Sequence, residues 1–137
     1  ILRQSTSKDI IFDFEKSLSF EGDSGPYLQY TAVRAKSVLG RTSVLPALTT
    51  IPEDMTVLPR ILSRFSDVTM RAAVESAPQH LVTYLVELAS AFNAFYAEVK
   101  ILDSSTEEPY RLALTQAVAT VLERGLALLG IRVPEQM

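Results

Sequence analysis

Between residues 81 and 99, apolar and aromatic side chains return every three or four positions: Leu81, Tyr84, Leu85, Leu88, Phe92, Phe95, Tyr96 and Val99. That period places them along one side of a single α-helix of about five turns. A second stripe follows, made of Leu114, Ala117, Val118, Val121, Leu122, Leu128 and Leu129, and it runs up to Gly130. Only Asp103-Ser-Ser-Thr106 breaks the pattern between them. Glu107 and Glu108 then suit the positive end of a helix, and Pro109 suits its first turn. Two long amphipathic helices joined by so short a link pack antiparallel, and this excludes most sheet-based architectures.

The rest of the chain adds shorter helical pieces. Pro26 is well placed for a helix start. Residues 27–39 then carry Tyr27, Tyr30, Arg34 and Val38 at spacings of three and four, with Gly40 as a stop. Residues 41–55 hold Pro46, Pro52 and several Thr and Ser, and read as an exposed loop. Beyond it Thr56 suits a cap, and Leu58, Ile61, Leu62 and Phe65 form one stripe. Ser66-Asp67 reads as a further cap opening a helix over 68–77, and Pro78 ends it. Residues 1–25 differ. Asp9-Ile-Ile-Phe-Asp-Phe14 suggests a short extended piece, 14–20 a short helix, and Glu21-Gly-Asp-Ser-Gly-Pro26 a loop. The expected fold is all-α, a bundle of four to five helices over 26–137, with a short irregular N-terminal segment over 1–25.

A chain of 137 residues that is 47% hydrophobic can build its own core. It has no cysteine, so disulfides and thiolate metal sites are excluded, and a cytoplasmic location is expected. No apolar run reaches the roughly 18 residues of a membrane span. Ile1-Leu2-Arg3-Gln4 has neither signal-peptide layout nor an initiator Met, which suggests a start inside a longer protein. Net charge is −3, whereas many nucleic-acid binders are basic. The distribution qualifies this. Arg34, Lys36 and Arg41 have no acid near them between residues 28 and 50, while from residue 51 onward eleven acids face seven bases.

Catalytic constellations are missing. His80 is the only histidine, so a His-rich metal site cannot form. Glu107 and Glu108 are adjacent and do not face each other on a helix. Nothing arranges Asp9, Asp13 and Glu15 as an acid/base pair, and the 21–26 loop lacks the Gly-Lys-Ser/Thr ending of a phosphate loop. What remains is aromatic residues near a cation. Tyr27, Tyr30 and Arg34 share a helix face, and Phe92 and Tyr96 stand one turn apart. Such groups hold unpaired bases by stacking and phosphates by charge. The same spacing also builds ordinary cores, and periodicity does not choose between the two.

The stretch 12–30, ending Gly-Pro-Tyr-Leu-Gln-Tyr30 and continuing to Arg34, resembles the junction between the catalytic domain and the helical C-terminal domain of arginyl-tRNA synthetases. Leu88-Ala-Ser-Ala-Phe-Asn-Ala-Phe-Tyr96 resembles the central helix of that domain, and the run from Arg111 to the Pro-Glu-Gln-Met137 ending resembles its last helix and terminus. The resemblance covers nearly the whole chain. It implies an anticodon-binding (DALR-type) domain of a class I enzyme that joins arginine to its tRNA with ATP. The nucleotide-binding signatures of that family belong to the catalytic domain and are not in this sequence, so no cofactor and no catalytic residue is expected here. Residue by residue, it implies that Tyr27, Tyr30, Arg34, Phe92, Tyr96 and Met137 bind tRNA, and that the 21–26 loop leans on it. The expected partners are a tRNA for arginine and the catalytic domain of the parent chain. Two rivals stand beside this reading: the related domain of another class I synthetase such as the cysteinyl one, and a helical protein-interaction module whose Tyr27 and Phe92 rings would be buried.

Overall fold

The computed structural model describes residues 24–48 and 57–137, and within them every regular element is an α-helix. There are five: α1 (Gly25–Leu39), α2 (Val57–Ser63), α3 (Phe65–Val74), α4 (Gln79–Glu98) and α5 (Glu108–Leu128). No helix among these residues is long and apolar enough to cross a membrane. The extended piece and short helix expected over 9–20, residues 21–23 of the loop expected over 21–26, residues 49–55 of the loop expected over 41–55, and the Thr56 cap lie outside the described residues; Gly25 and Pro26 belong to α1 rather than to a loop.

Helix α1 starts where the Ser24 hydroxyl accepts the Tyr27 N–H at 3.1 Å, with Pro26 in the first turn. It buries Leu28, Thr31, Ala32, Ala35 and Val38, and the two alanines let a neighbouring helix approach closely. Gly40 does stand at its end, but with φ −73°. The helix therefore does not use the left-handed turn that favours glycine there.

Helix α3 departs from the sequence expectation at both ends. It begins at Phe65, so Ser66 and Asp67 lie within its first turn, and no side chain caps it. It stops at Val74 rather than Ala77. Ser76 takes φ 49°, and the Ala77 and Ser76 N–H groups donate back to Ala72 O (2.9 Å) and Ala73 O (3.2 Å). This six-to-one and five-to-two pair of bonds closes the helix, here with Ser where glycine is usual.

The two long helices form the core. Helix α4 buries Leu81, Val82, Tyr84, Leu85, Leu88, Ala89 and Phe92. Helix α5 buries Leu112, Thr115, Val118, Ala119, Leu122 and Leu126 among others. Here the sequence reading is corrected: Leu128 is 61% exposed, and Leu126 holds the core position. Leu112, Thr115, Ala119, Leu122 and Leu126 advance by three and four, and residue 128 falls on the outer side of that row. The helices are antiparallel, as expected from their link. Leu85, near the start of α4, meets Gly125 near the end of α5, where an added Cβ would lie 2.5 Å from Leu85 Cδ2. Helix α1 lies along α5, with Val38 clustered against Ile101 and Leu112. At α1's other end, Gln29 Nε2 donates to Arg132 O at 2.7 Å. Gly130, at φ 76°, turns the chain out of α5, and Ile131 and Val133 of the tail pack on the core.

The α4–α5 link is built from charge. Glu108 is buried, and its carboxylate accepts the N–H groups of Asp103 (3.0 Å) and Ser104 (2.5 Å). It thus caps the turn that precedes its helix, a fuller role than complementing the helix dipole. Arg111 donates to Lys100 O at 3.1 Å and forms ion pairs with Asp103 and Glu107, both at 2.5 Å. Hydrogen bonds from the Ser105 side chain and backbone, followed by the Arg111 guanidinium, hold the Asp103 carboxyl down at about 2. A depressed carboxyl stabilises the fold above its ordinary value, near 3.8, and that contribution is lost as pH falls toward about 2. Melting temperature measured across this window should therefore fall more steeply for the unaltered chain than for Asp103→Asn. Parallel curves would remove Asp103 from the account.

Candidate nucleic-acid interface

Helices α1 and α4 meet at a polar seam near the end of the core. Helix α4 is sealed as far as Phe92, which is 0% exposed. One turn later Phe95 is half-buried against both core clusters, and Tyr96 is 38% exposed. On α1 the residue level with this edge is Tyr30, 37% exposed. Arg34, one turn further along α1, lays its guanidinium over both rings, with Cζ 4.7 Å from the Tyr30 centroid and 5.1 Å from that of Tyr96. A cation against each ring face contributes about 0.5–2 kcal/mol, more when desolvated.

Beneath this layer a single amide ties the helices. Asn93 Oδ1 accepts from Arg34 Nη1 at 2.7 Å, and Asn93 Nδ2 donates to Tyr27 Oη at 3.0 Å and to Thr31 Oγ1 at 3.1 Å. The Tyr27 ring, half-buried, packs on the edge of the core. The structure thus assembles Tyr27, Tyr30, Arg34 and Tyr96 on one surface from two distant stretches of chain.

Phe92 is placed differently from the role the resemblance implied. Its ring has no exposed surface and stands under Tyr96 and Phe95, with both centroids at 6.3 Å. It offers no open face and packs beneath Tyr96. Met137 is 49% exposed at the end of the tail. No hydrogen bond or cation–π contact draws it into the cluster, although Gln29, which anchors the tail at Arg132, is the neighbour of Tyr30. Asn93 and Thr31 were missed by sequence reasoning. An Asn in mid-helix between Phe92 and Ala94, where its propensity is poor, was the signal available.

The surrounding charges divide clearly. Lys36 is paired with Glu123 at 2.6 Å. Arg41 is exposed and has no ion-pair partner among the described residues. Another aromatic–arginine contact shows the contrasting case. Arg64 lies over Tyr84 at 5.9 Å, but the Tyr84 ring is buried, its hydroxyl donates to Ile61 O at 3.1 Å, and burial pushes it up to about 12. That pair is structural. His80 bonds Glu75 Oε2 at 2.7 Å, and the Glu75 carboxyl is lowered by Arg71 first and by His80 second. Among the described residues no three His, Asp or Glu side chains group as metal ligands.

The described residues form a helical bundle with an aromatic face that carries the Arg34 guanidinium. The chain belongs to the family of DALR anticodon binding domains, whose model matches residues 28–137. Within it, the chain is homologous to arginine–tRNA ligases. It is 40% identical to the enzyme of Halothermothrix orenii across 99% of this chain, and 40% identical to that of Enterococcus faecalis across 92%. It spans about a quarter of the length of these relatives, 25% and 23%. Among solved structures it superposes on the arginyl-tRNA synthetase of Thermus thermophilus with a TM-score of 0.89 at 34% identity, covering 98% of this chain and 25% of that one. The Plasmodium falciparum enzyme gives 0.83 at 25% identity, covering 99% and 25%.

Proposed function

We propose that the Tyr30–Arg34–Tyr96 face receives unpaired nucleotides from the anticodon loop of a tRNA for arginine. Tyr27 borders it, and Phe92 supports it from below. The carrying observation is the guanidinium laid over two exposed rings from separate helices, a surface that offers flat faces to bases and a cation to phosphate. The match to DALR anticodon binding domains and the likeness to arginine–tRNA ligases support a tRNA for arginine as the RNA. In the longer protein this region would serve an enzyme joining arginine to its tRNA with ATP in the cytoplasm, docked to a catalytic domain that holds the ATP.

The proposal also ranks the cations that would meet phosphate. Arg41 has no ion-pair partner among the described residues, Lys36 would first have to leave Glu123, and Arg34 is poised over the rings. Binding of this chain alone should be weak and should fall steeply with salt, since a second contact at the acceptor end is lost. Filter binding with an arginine tRNA at several salt concentrations tests this. Arg41→Ala should reduce the slope of log affinity on log salt by about 0.7 to 0.9, the share of one phosphate contact. An unchanged slope would remove Arg41 from the interface. Stronger binding of a cysteine tRNA would shift the reading to the related domain of another synthetase.

A further inference from the structure

We infer that Asn93 is the positioning residue of this face: it sets where Arg34 stands, and through Arg34 it sets the order of the two exposed rings. The inference rests on the reading of the face as an RNA site and names the residue that pre-arranges it.

The hydrogen-bond pattern permits only one orientation of the Asn93 amide. Arginine has donors and no acceptor, so the atom 2.7 Å from Arg34 Nη1 must be the amide oxygen. The Thr31 hydroxyl already spends its proton on Tyr27 O at 2.9 Å. It can therefore meet Asn93 only as an acceptor, which requires the amide nitrogen on that side. The second N–H of the amide goes to Tyr27 Oη. Three of the four bonds an asparagine can make are thus committed to α1, and none is a helix-capping bond. Because Tyr27 Oη accepts here, its own proton is left to point away from Asn93, at the border of the face.

Two consequences concern the ligand. Arg34 gives one of its five N–H groups to Asn93 and is held without losing its charge, since the amide is neutral. An acidic residue at position 93 would also hold Arg34, but it would neutralise the cation that phosphate or a base edge must meet. A flexible arginine would pay rotamer entropy on binding, and holding it in place removes part of that cost.

The test uses the 137-residue chain, a full-length arginine tRNA transcript, and a double-mutant cycle of Asn93→Ala with Arg34→Ala. Asn93→Ala should weaken binding by about tenfold in the unaltered chain, the scale of one lost charge-assisted bond. In the Arg34→Ala background it should weaken binding less than about twofold, since the residue acts through Arg34. Equal fold losses in both backgrounds would overturn the proposal and make Asn93 a merely structural residue. So would unchanged binding of Asn93→Ala where Arg34→Ala is impaired, although the face itself would survive. If neither variant is impaired, the face is wrong and the proposal falls with it. Asn93→Asp keeps size and the acceptor toward Arg34, which guards against misfolding of the alanine variant. It should bind about tenfold more weakly and with a shallower salt dependence, a readout that loss of packing would not move. An unchanged salt slope with Asp at this position would overturn the proposal as well.

Discussion

Replacing Phe92 with alanine should cost about 3–5 kcal/mol of folding stability, read as a large fall in the urea midpoint at constant slope. The ring heads the largest fully buried side chains of the bundle and lies in the core cluster with Leu85, Leu88 and Leu122. Nothing nearby can collapse into the space without shifting α1 or α5, so the loss includes a cavity as well as the transfer of the ring. Phe92→Leu, which keeps most of the volume, should cost much less and leave RNA binding close to normal. That pair of results separates support from contact. A residue that stacked on a base would lose binding with leucine, whereas one that holds up Tyr96 from below would not. If Phe92→Leu binds RNA as weakly as a Tyr96 variant, the burial argument is wrong.

The largest effect on binding should come from removing both exposed rings. Each base stacked on an aromatic side chain contributes roughly 1–3 kcal/mol, so Tyr30→Ala with Tyr96→Ala should weaken tRNA binding by about tenfold or more per ring. Folding should hardly change, because each ring is more than one-third exposed and neither belongs to the buried core. Each ring gives up its contact with Arg34, about 0.5–1 kcal/mol per ring at an exposed site, and Tyr96 also gives up its packing on Phe92. Binding titrations with matched thermal melts would show the separation. A double variant that binds normally while folded would end the proposal for this face.

Much of this architecture was legible from hydrophobic spacing. The α4 stripe, the break at Asp103, the start of α1 near Pro26 and the antiparallel pairing of α4 with α5 all follow from period and punctuation. What was not legible depends on how neighbouring helices are placed. Phe92 and Tyr96 are one turn apart on one helix, and only the packing of the bundle decides that the first is sealed and the second is open. The choice between Leu126 and Leu128 turns on the exact phase of α5, which the leucine-rich end of that helix leaves ambiguous. The early stop of α3 comes from a left-handed Ser76, a conformation no spacing rule anticipates. Glu108 and Asn93 show the same limit. Both look like ordinary polar positions in sequence, and both become buried or half-buried nodes once the turn and the second helix are in place. The resemblance to arginyl-tRNA synthetases named Phe92 beside Tyr96, and spacing alone could not separate a sealed ring from an exposed one.

The chain has five tyrosines and no tryptophan. Tyr27, Tyr30 and Tyr96 border the proposed face, whereas Tyr84 and Tyr110 are buried elsewhere. Ring-labelled tyrosine NMR during titration with an anticodon stem-loop of arginine tRNA therefore carries its own control. The expected result is that the Tyr30 and Tyr96 signals move most, Tyr27 moves less, and Tyr84 and Tyr110 stay in place. Saturable binding that leaves Tyr30 and Tyr96 unmoved would contradict the assignment of this face.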